Sequence, residues 1–86
     1  MFSLHPPYTH LMRDAELAQK LGMLIRHLRQ EKGMSQEQFA DLCQLHRTYI
    51  GSIERGEKTI TIETAYRIAQ AFEIPLSRLF SLLEAE

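Results

Sequence analysis

The sequence predicts an all-α fold of five helices in a single domain. Apolar residues recur at steps of three and four along most of the chain, which is the spacing of one buried helix face. Residues that cap or stop helices separate these stretches. The chain has 86 residues, of which 44% are hydrophobic and 24% are charged, and this length supports one modest core but not two.

An N-terminal arm is predicted to precede the first helix. Pro6 and Pro7 block a helix there, so we expect residues 1–10 to form a flexible arm and residues 11–86 to form the single domain. Helical spacing begins at about Leu11, and Gly33 is a natural stop after the last turn. The residues predicted to face inward are Leu17, Leu21, Leu24, Ile25 and Leu28.

The second helix is predicted to be short and to begin after Ser35. Ser35 and Gln38 have the spacing of a capping box, in which a hydroxyl and an amide satisfy N–H groups at the helix start. Phe39, Ala40 and Leu42 would form the apolar side of this helix, which lasts only about two turns.

The third helix is predicted to run from His46 or Arg47 to Arg55. Ile50 and Ile53 supply its inward face at a spacing of three, and a glycine follows it. The residues predicted to face outward are Arg47, Thr48, Gly51 and Ser52.

Two further helices complete the predicted domain. Thr61 is a good N-cap for the fourth helix, and Pro75 is tolerated near the start of the fifth. The apolar stripe of the fourth helix consists of Ala65, Ile68, Ala69 and Phe72, and that of the fifth consists of Leu76, Leu79, Phe80 and Leu83.

Composition and motifs argue against several classes of protein. No apolar stretch approaches the roughly 20 residues of a membrane span, and the N-terminus lacks a secretory signal, so a cytoplasmic location is expected. The single Cys43 is predicted to be a packed thiol. We expect no metal, no cofactor and no enzymatic activity, because no metal-ligand spacing and no nucleophile–base–acid arrangement is present. No partner at metal-ligand spacing is present for His5, His10, His27 or His46.

The charge distribution limits how the chain could bind nucleic acid. The net charge is −1, which argues against indiscriminate binding to a polyanion. Residues 26–58 carry six Lys or Arg against five Asp or Glu, whereas residues 59–86 carry two against four. A DNA-binding surface would therefore depend on a few positioned cations and on helix N-termini.

The tight turn between the second and third helices points to DNA. A turn of about three residues makes the two helices cross steeply and projects the outer face of the third helix, whose width matches the major groove. Helical spacing alone also fits an ordinary five-helix domain without this function.

A family resemblance favours the DNA-binding interpretation. Residues 25–56 read IRHLRQEKGMSQEQFADLCQLHRTYIGSIERG. This segment closely resembles the lambda-repressor-like (XRE-like) helix-turn-helix family of phage repressors, Cro proteins and their bacterial relatives. Its LHRTYIGSIERG portion is similar to the recognition helix of restriction-modification controller proteins. The chain departs from the family pattern at Gln44, where Gly is frequent, and at His46, which replaces the usual Ser, Thr or Asp cap.

The resemblance implies that helix 3 reads bases. Arg47 is the best candidate because its planar guanidinium can pair with O6 and N7 of guanine, and Thr48 can touch a thymine methyl or a base edge. The residues implied to read bases are Arg47, Thr48 and Ser52, and those implied to contact the DNA backbone are Gln36, Tyr49, Lys58 and Thr59.

Two other roles follow from the resemblance. Arg29 and Glu54 occupy positions that commonly form an interior ion pair between helices 1 and 3. Tyr49 has an alternative role, packing over the junction of helices 3 and 4 instead of binding a phosphate.

Relatives in this family usually bind two half-sites as a two-fold dimer. We expect a homodimer on a palindromic operator of double-stranded DNA, with an interface at the end of helix 4 and on helix 5, whose apolar residues exceed what one inward face needs. The alternative is that all of them pack internally. The interface residues predicted are Leu76, Leu79, Phe80 and Leu83, with Leu82 beside them.

Three functions are compatible with these observations. The first is a transcriptional regulator, either a repressor or an activator. A more specific version of this hypothesis is a restriction-modification controller. The second is an antitoxin-like module that binds another protein and uses DNA binding for autoregulation. The third is a helical interaction domain that has lost DNA binding, and the residues Gln36, Arg47, Thr48 and Ser52 argue against it.

Overall fold

A computed structural model describes residues 14–85 of the chain as five α-helices, which confirms the predicted all-α fold. The predicted arm, residues 1–10, and the predicted helix start at Leu11 lie outside the described residues. None of the helices within residues 14–85 is long and apolar enough to cross a membrane. The helices are α1 (Asp14–Glu31), α2 (Gln36–Cys43), α3 (Arg47–Glu54), α4 (Ile62–Ala71) and α5 (Leu76–Glu84).

The hydrophobic core lies between the five helices and holds α2 and α3 in place. Phe39 of α2 stacks on Phe72, just after α4, with ring centroids 4.5 Å apart and an interplanar angle of 18°. Helices of only eight residues are marginal alone, so this burial stabilises them. Other fully buried side chains are Ile25, Ile50, Ile53, Ile68 and Leu79.

Side-chain caps define the starts of α2 and α3. The Ser35 hydroxyl accepts a hydrogen bond from the backbone N–H of Gln38 at 3.0 Å, and the Gln38 amide oxygen accepts one from the N–H of Ser35 at 2.8 Å. The predicted capping box is therefore present. At α3 the cap is His46, whose Nδ1 accepts from the N–H of Thr48 at 3.1 Å. An imidazole thus replaces the short hydroxyl or carboxylate that usually serves this purpose.

The turn between α2 and α3 requires a left-handed residue. Gln44 has φ of 59° and ψ of 40°, and its N–H donates to the carbonyls of Ala40 and Asp41. A residue with a side chain is strained in this region of φ, which explains why Gly is frequent at the end of a helix.

We predict that Gln44→Gly raises the free energy of unfolding by about 0.5–1 kcal/mol, because glycine removes the left-handed strain. Gly33→Ala is the matched control, since Gly33 also has positive φ, of 69°, and an added Cβ would meet nothing within 4 Å. It should lower stability by about 1 kcal/mol through backbone strain alone. Urea unfolding followed by circular dichroism measures both changes, and a destabilised Gln44→Gly variant would contradict the explanation.

In α1 and α2, two apolar residues predicted to face inward are exposed. Leu17 is 44% exposed and Leu42 is 59% exposed. The inward face of α2 consists of Phe39, Ala40 and Cys43, so Leu42 lies on the opposite side. The N-terminal part of α1 borders an open groove instead of the closed core, and Leu17 lines this groove.

Helix α1 approaches α3 very closely at Gly22. A Cβ atom added to Gly22 would lie 2.6 Å from the carbonyl oxygen of Glu54 and would overlap the carbonyl oxygen of Ile53. The last turn of α3 therefore rests directly on the backbone of α1. The helical spacing of the sequence gave no indication of this contact.

Candidate nucleic-acid interface

Helices α2 and α3 together present a polar surface, which we call the reading face. It surrounds a shallow depression and combines the N-terminus of α2 with the outer side of α3. Arg47 at the start of α3 and Arg55 just after its end flank the depression. Gly51, predicted to face outward, lies between them but is buried, with the Gln36 and Arg55 side chains next to it. The residues of the reading face are Gln36, Arg47, Thr48, Gly51 and Arg55.

A buried ion pair fixes α3 relative to α1 and α2. Arg29 Nε donates to Glu54 Oε2 at 2.7 Å and Nη2 donates to Oε1 at 2.9 Å, with the two side chains only 10% and 3% exposed. Hydrogen bonding to Glu54 raises the pKa of Arg29 above its ordinary value. Arg29 Nη1 also donates to the carbonyl of Met34 at 2.9 Å, which ties in the segment before α2.

The same carboxylate positions Gln36 on the reading face. Gln36 Nε2 donates to Glu54 Oε1 at 3.0 Å. The amide is thereby held beside Gly51, whose absent Cβ would lie 3.7 Å from Gln36 Oε1. Gln36 thus stands at the N-terminus of α2, where N–H groups and the helix dipole favour an anion.

Both arginines of the reading face are paired with acidic neighbours. Arg47 Nη1 lies 3.5 Å from Glu37 Oε2, and both side chains are largely exposed. Arg55 makes a two-point contact, with Nε donating to Glu57 Oε2 at 2.8 Å and Nη2 donating to Oε1 at 3.2 Å. The hydrogen bonds from Arg55 hold the pKa of Glu57 below its ordinary value, and they raise the pKa of Arg55.

The prediction that Ser52 faces outward is wrong. Ser52 is only 7% exposed, and its hydroxyl donates to the carbonyl of Tyr49 at 2.7 Å. The N–H of Glu57 donates to the Ser52 carbonyl, which closes the end of α3. Because the hydroxyl is satisfied within its own helix, it is not directed at a ligand.

The remaining predicted contact residues divide into two groups. Thr48 is exposed on the reading face, and Lys58 and Thr59 are exposed in the loop before α4. Tyr49 is half-buried and packs against the core.

Sequence reasoning missed Arg55 as a member of the reading face. It lies eight positions after Arg47, a spacing that returns to the same side of a helix, so the signal was present in the sequence. Its position immediately after the last residue of α3 made it look like part of the helix end.

Comparison with known proteins identifies the family. The helix-turn-helix family model HTH_3 matches residues 25–79, which include α2, α3 and α4. The chain belongs to the HTH_3 helix-turn-helix family. The predicted resemblance is confirmed.

Several relatives of this helix-turn-helix chain are control proteins. The control protein C.MunI of Mycoplasma sp is 40% identical over 76 residues, which span 87% of this chain and 100% of the relative. The restriction-modification controller protein C.AhdI from Aeromonas hydrophila has a similar structure, with a TM-score of 0.70 and 38% identity over 73% of this chain and 96% of that chain.

A third relative has been solved on DNA. The controller protein C.Esp1396I, as a tetramer in complex with its natural 35 base-pair operator, matches with a TM-score of 0.72 and 37% identity. The match covers 78% of this chain and 88% of that chain.

The helix-turn-helix domain also has an apolar groove on another side. It runs between α1, α4 and α5, and its lining includes Leu17, Leu21, Ile62, Phe80 and Leu83. Leu17, Ile62 and Phe80 are exposed large apolar side chains.

The predicted dimer interface needs one correction at this groove. Leu79 is fully buried in the core, so it cannot contact a second copy. Leu76 and Leu83 are partly buried against the core, and Leu82 is half-buried. Phe80 is exposed. The sequence analysis missed Leu17 and Ile62, which come from other helices.

Cys43 is a packed thiol, as predicted. It is 1% exposed, and burial raises its pKa to about 12. The thiol is therefore protonated at neutral pH and is a poor nucleophile. Among the described residues, no group of three or more His, Cys, Asp or Glu side chains is arranged to hold a metal ion.

Proposed function

We propose that this chain is a sequence-specific transcriptional regulator that binds a palindromic operator in double-stranded DNA as a homodimer, and that it is the controller of a restriction-modification system. The reading face carries this proposal. In the reading face, Arg47 and Thr48 lie on the outer side of α3. The chain belongs to a helix-turn-helix family, and its relatives include control proteins. One similar controller is seen on its operator.

Arg47 and Thr48 would read bases when α3 enters the major groove. The Arg47 guanidinium is exposed and can donate two hydrogen bonds to O6 and N7 of a guanine. Thr48 can touch a thymine methyl or a base edge beside it. Each such guanine contact gives about 1–3 kcal/mol of discrimination against other bases.

Backbone contacts would fix the depth and register of α3. Gln36 at the N-terminus of α2 would meet a phosphate on one side of the groove, together with the helix N–H groups; its contact with Glu54, which fixes the amide there, supports this role. Lys58 and Thr59, exposed in the loop after α3, would meet the DNA backbone on the far side of the groove. Tyr49 would contribute mainly by packing.

A second copy of the chain would cover the apolar groove. Leu17, Ile62 and Phe80 are exposed there, and burying such side chains drives association. A two-fold axis through this groove would present two reading faces to two half-sites. In this function the chain catalyses no reaction, requires no cofactor or metal and acts in the cytoplasm at the nucleoid.

Selection of bound sequences from a random DNA pool at about 150 mM salt tests the proposal. We expect enrichment of a two-fold-symmetric site with a guanine in each half, and loss of the guanine preference in Arg47→Ala. Arg26→Ala is the matched control, because Arg26 is exposed on α1 and its loss removes the same charge. It should recover the wild-type site.

Two results would contradict the proposal. A loose pool that is the same for the wild type and Arg47→Ala would show that α3 does not read bases, and would favour the protein-binding alternative. Enrichment of single, asymmetric half-sites would reject the homodimer.

A further inference from the structure

The two arginines that dominate the reading face are both held by glutamates. Glu37 comes from the first turn of α2 and pairs with Arg47 at 3.5 Å. Glu57 comes from the loop after α3 and pairs with Arg55 at 2.8 Å. The two pairs belong to different elements and lie near opposite ends of the reading face, so they are independent observations.

These pairs cancel the formal charge where DNA would approach. Two arginines and two glutamates sum to zero, and the whole chain has a net charge of −1. Non-specific binding to DNA is almost entirely electrostatic and depends on cations that neutralise phosphates. A surface with internally paired arginines therefore attracts arbitrary DNA weakly.

We propose that Glu37 and Glu57 are specificity-determining residues that suppress binding to DNA outside the operator. This inference rests on the proposed function, since it concerns the same face. To present its whole guanidinium to DNA, Arg47 gives up one contact with Glu37 and Arg55 gives up two contacts with Glu57. Each carboxylate then stays close to the phosphates. At an operator, base contacts and a close fit compensate for this exchange.

Arbitrary DNA cannot compensate in the same way. There the arginine exchanges one anionic partner, a carboxylate, for another, a phosphate, and gains little. At the operator Arg47 gains a two-point contact with guanine, which a duplex of arbitrary sequence does not offer at that position. The glutamates therefore reduce affinity for all DNA, but they leave a larger fraction of the binding energy in sequence-dependent contacts.

The test compares Glu37→Gln, Glu57→Gln and the double variant with the wild type. Kd is measured for the selected operator and for a random duplex of equal length over a series of salt concentrations. Both glutamates are more than half exposed, so the fold should be retained, and circular dichroism checks this. We expect the ratio of operator to random affinity to fall about 3-fold or more per substitution, with a salt slope for random DNA steeper by about one.

Glu73→Gln is the control for net charge. Glu73 is exposed in the turn after α4, at the end of α4 opposite the loop that carries Lys58 and Thr59. If Glu73→Gln lowers the ratio as much as Glu37→Gln does, overall charge alone is responsible and the inference is overturned. A weaker operator complex with unchanged random affinity would overturn it too, because Glu37 would then only orient Arg47.

Failure of the proposed function gives a different result. If the wild-type protein prefers no sequence, the proposed function fails and there is no operator to measure. The effect of the two glutamates is then measured as a change in Kd for the random duplex alone. If Glu37→Gln and Glu57→Gln bind the random duplex more tightly and Glu73→Gln does not, the result supports the inference that the glutamates limit contacts between the arginines and DNA. Unchanged random binding in all three variants overturns it.

Discussion

Glu54→Ala is expected to lower the free energy of unfolding by about 3–5 kcal/mol. The substitution leaves the guanidinium of Arg29, only 10% exposed, without its anionic partner, and it also removes the acceptor of the Gln36 amide. An unpaired buried charge is far more destabilising than the absence of the whole pair. Since domains of this size have about 5–15 kcal/mol of stability, the variant should be close to unfolding at 37 °C.

Urea unfolding at fixed protein concentration measures this effect, because the stability of the proposed dimer would depend on concentration. Glu57→Ala is the matched control, since it breaks an ion pair whose partners are both more than half exposed, and it should leave the unfolding midpoint nearly unchanged. The double variant Arg29→Met with Glu54→Leu should be more stable than Glu54→Ala alone. Equal losses for Glu54→Ala and Glu57→Ala would show that burial does not strengthen the Arg29 pair.

Gly22→Ala is expected to destabilise the domain by about 1–3 kcal/mol or more. The added methyl group would overlap the carbonyl oxygens of Ile53 and Glu54, which are backbone atoms and cannot rotate away. Helix α1 would have to move off α3, which would also loosen the Arg29–Glu54 pair. We therefore expect weaker operator binding together with the loss of stability.

The control for Gly22→Ala is the same change at Gly51, also within a helix. There the new Cβ would meet Arg55 Nη1 at 3.1 Å, the end of a flexible side chain that can move. Alanine has a higher helix propensity than glycine, so Gly51→Ala should keep or raise stability, by up to about 1 kcal/mol. Unfolding curves that show Gly22→Ala as stable as Gly51→Ala would disprove the close approach of α1 and α3.

Local signals in the sequence predicted the helices and their limits well. The capping box at Ser35 and Gln38 depends on residues three positions apart, so it can be predicted without knowing the tertiary structure. The inward pair Ile50 and Ile53 also follows from helical spacing alone. The pairing of Arg29 with Glu54 was predicted from the family resemblance, because helical spacing does not relate residues of different helices.

Features that depend on neighbouring helices were not predictable in this way. Leu42 and Leu79 are both apolar and both fit helical spacing. The spacing does not show that Leu42 lies on the open side of α2 or that Leu79 lies at the centre of the core. Ser52 is only 7% exposed and its hydroxyl bonds within its own helix, which helical spacing did not indicate. The requirement for Gly22 arises only when α1 and α3 are in contact.

The candidate site was predictable in its cations but not in their partners. Arg47 was identified because the guanidinium has a known match to guanine. The carboxylates of Glu37 and Glu57 are ordinary exposed residues in the sequence, and their pairing depends on how α2 and the loop are placed around α3.

The division of α3 into two sides has a consequence for how operator preference can evolve. Ile50, Ile53 and Glu54 face inward and are constrained by packing and by the ion pair with α1. Arg47 and Thr48 face outward, and the exposed ion pair between Arg47 and Glu37 contributes little to stability. New combinations at these outward positions can therefore accumulate by mutation with little loss of stability, so duplicated copies of such a gene could acquire separate DNA targets while keeping one scaffold.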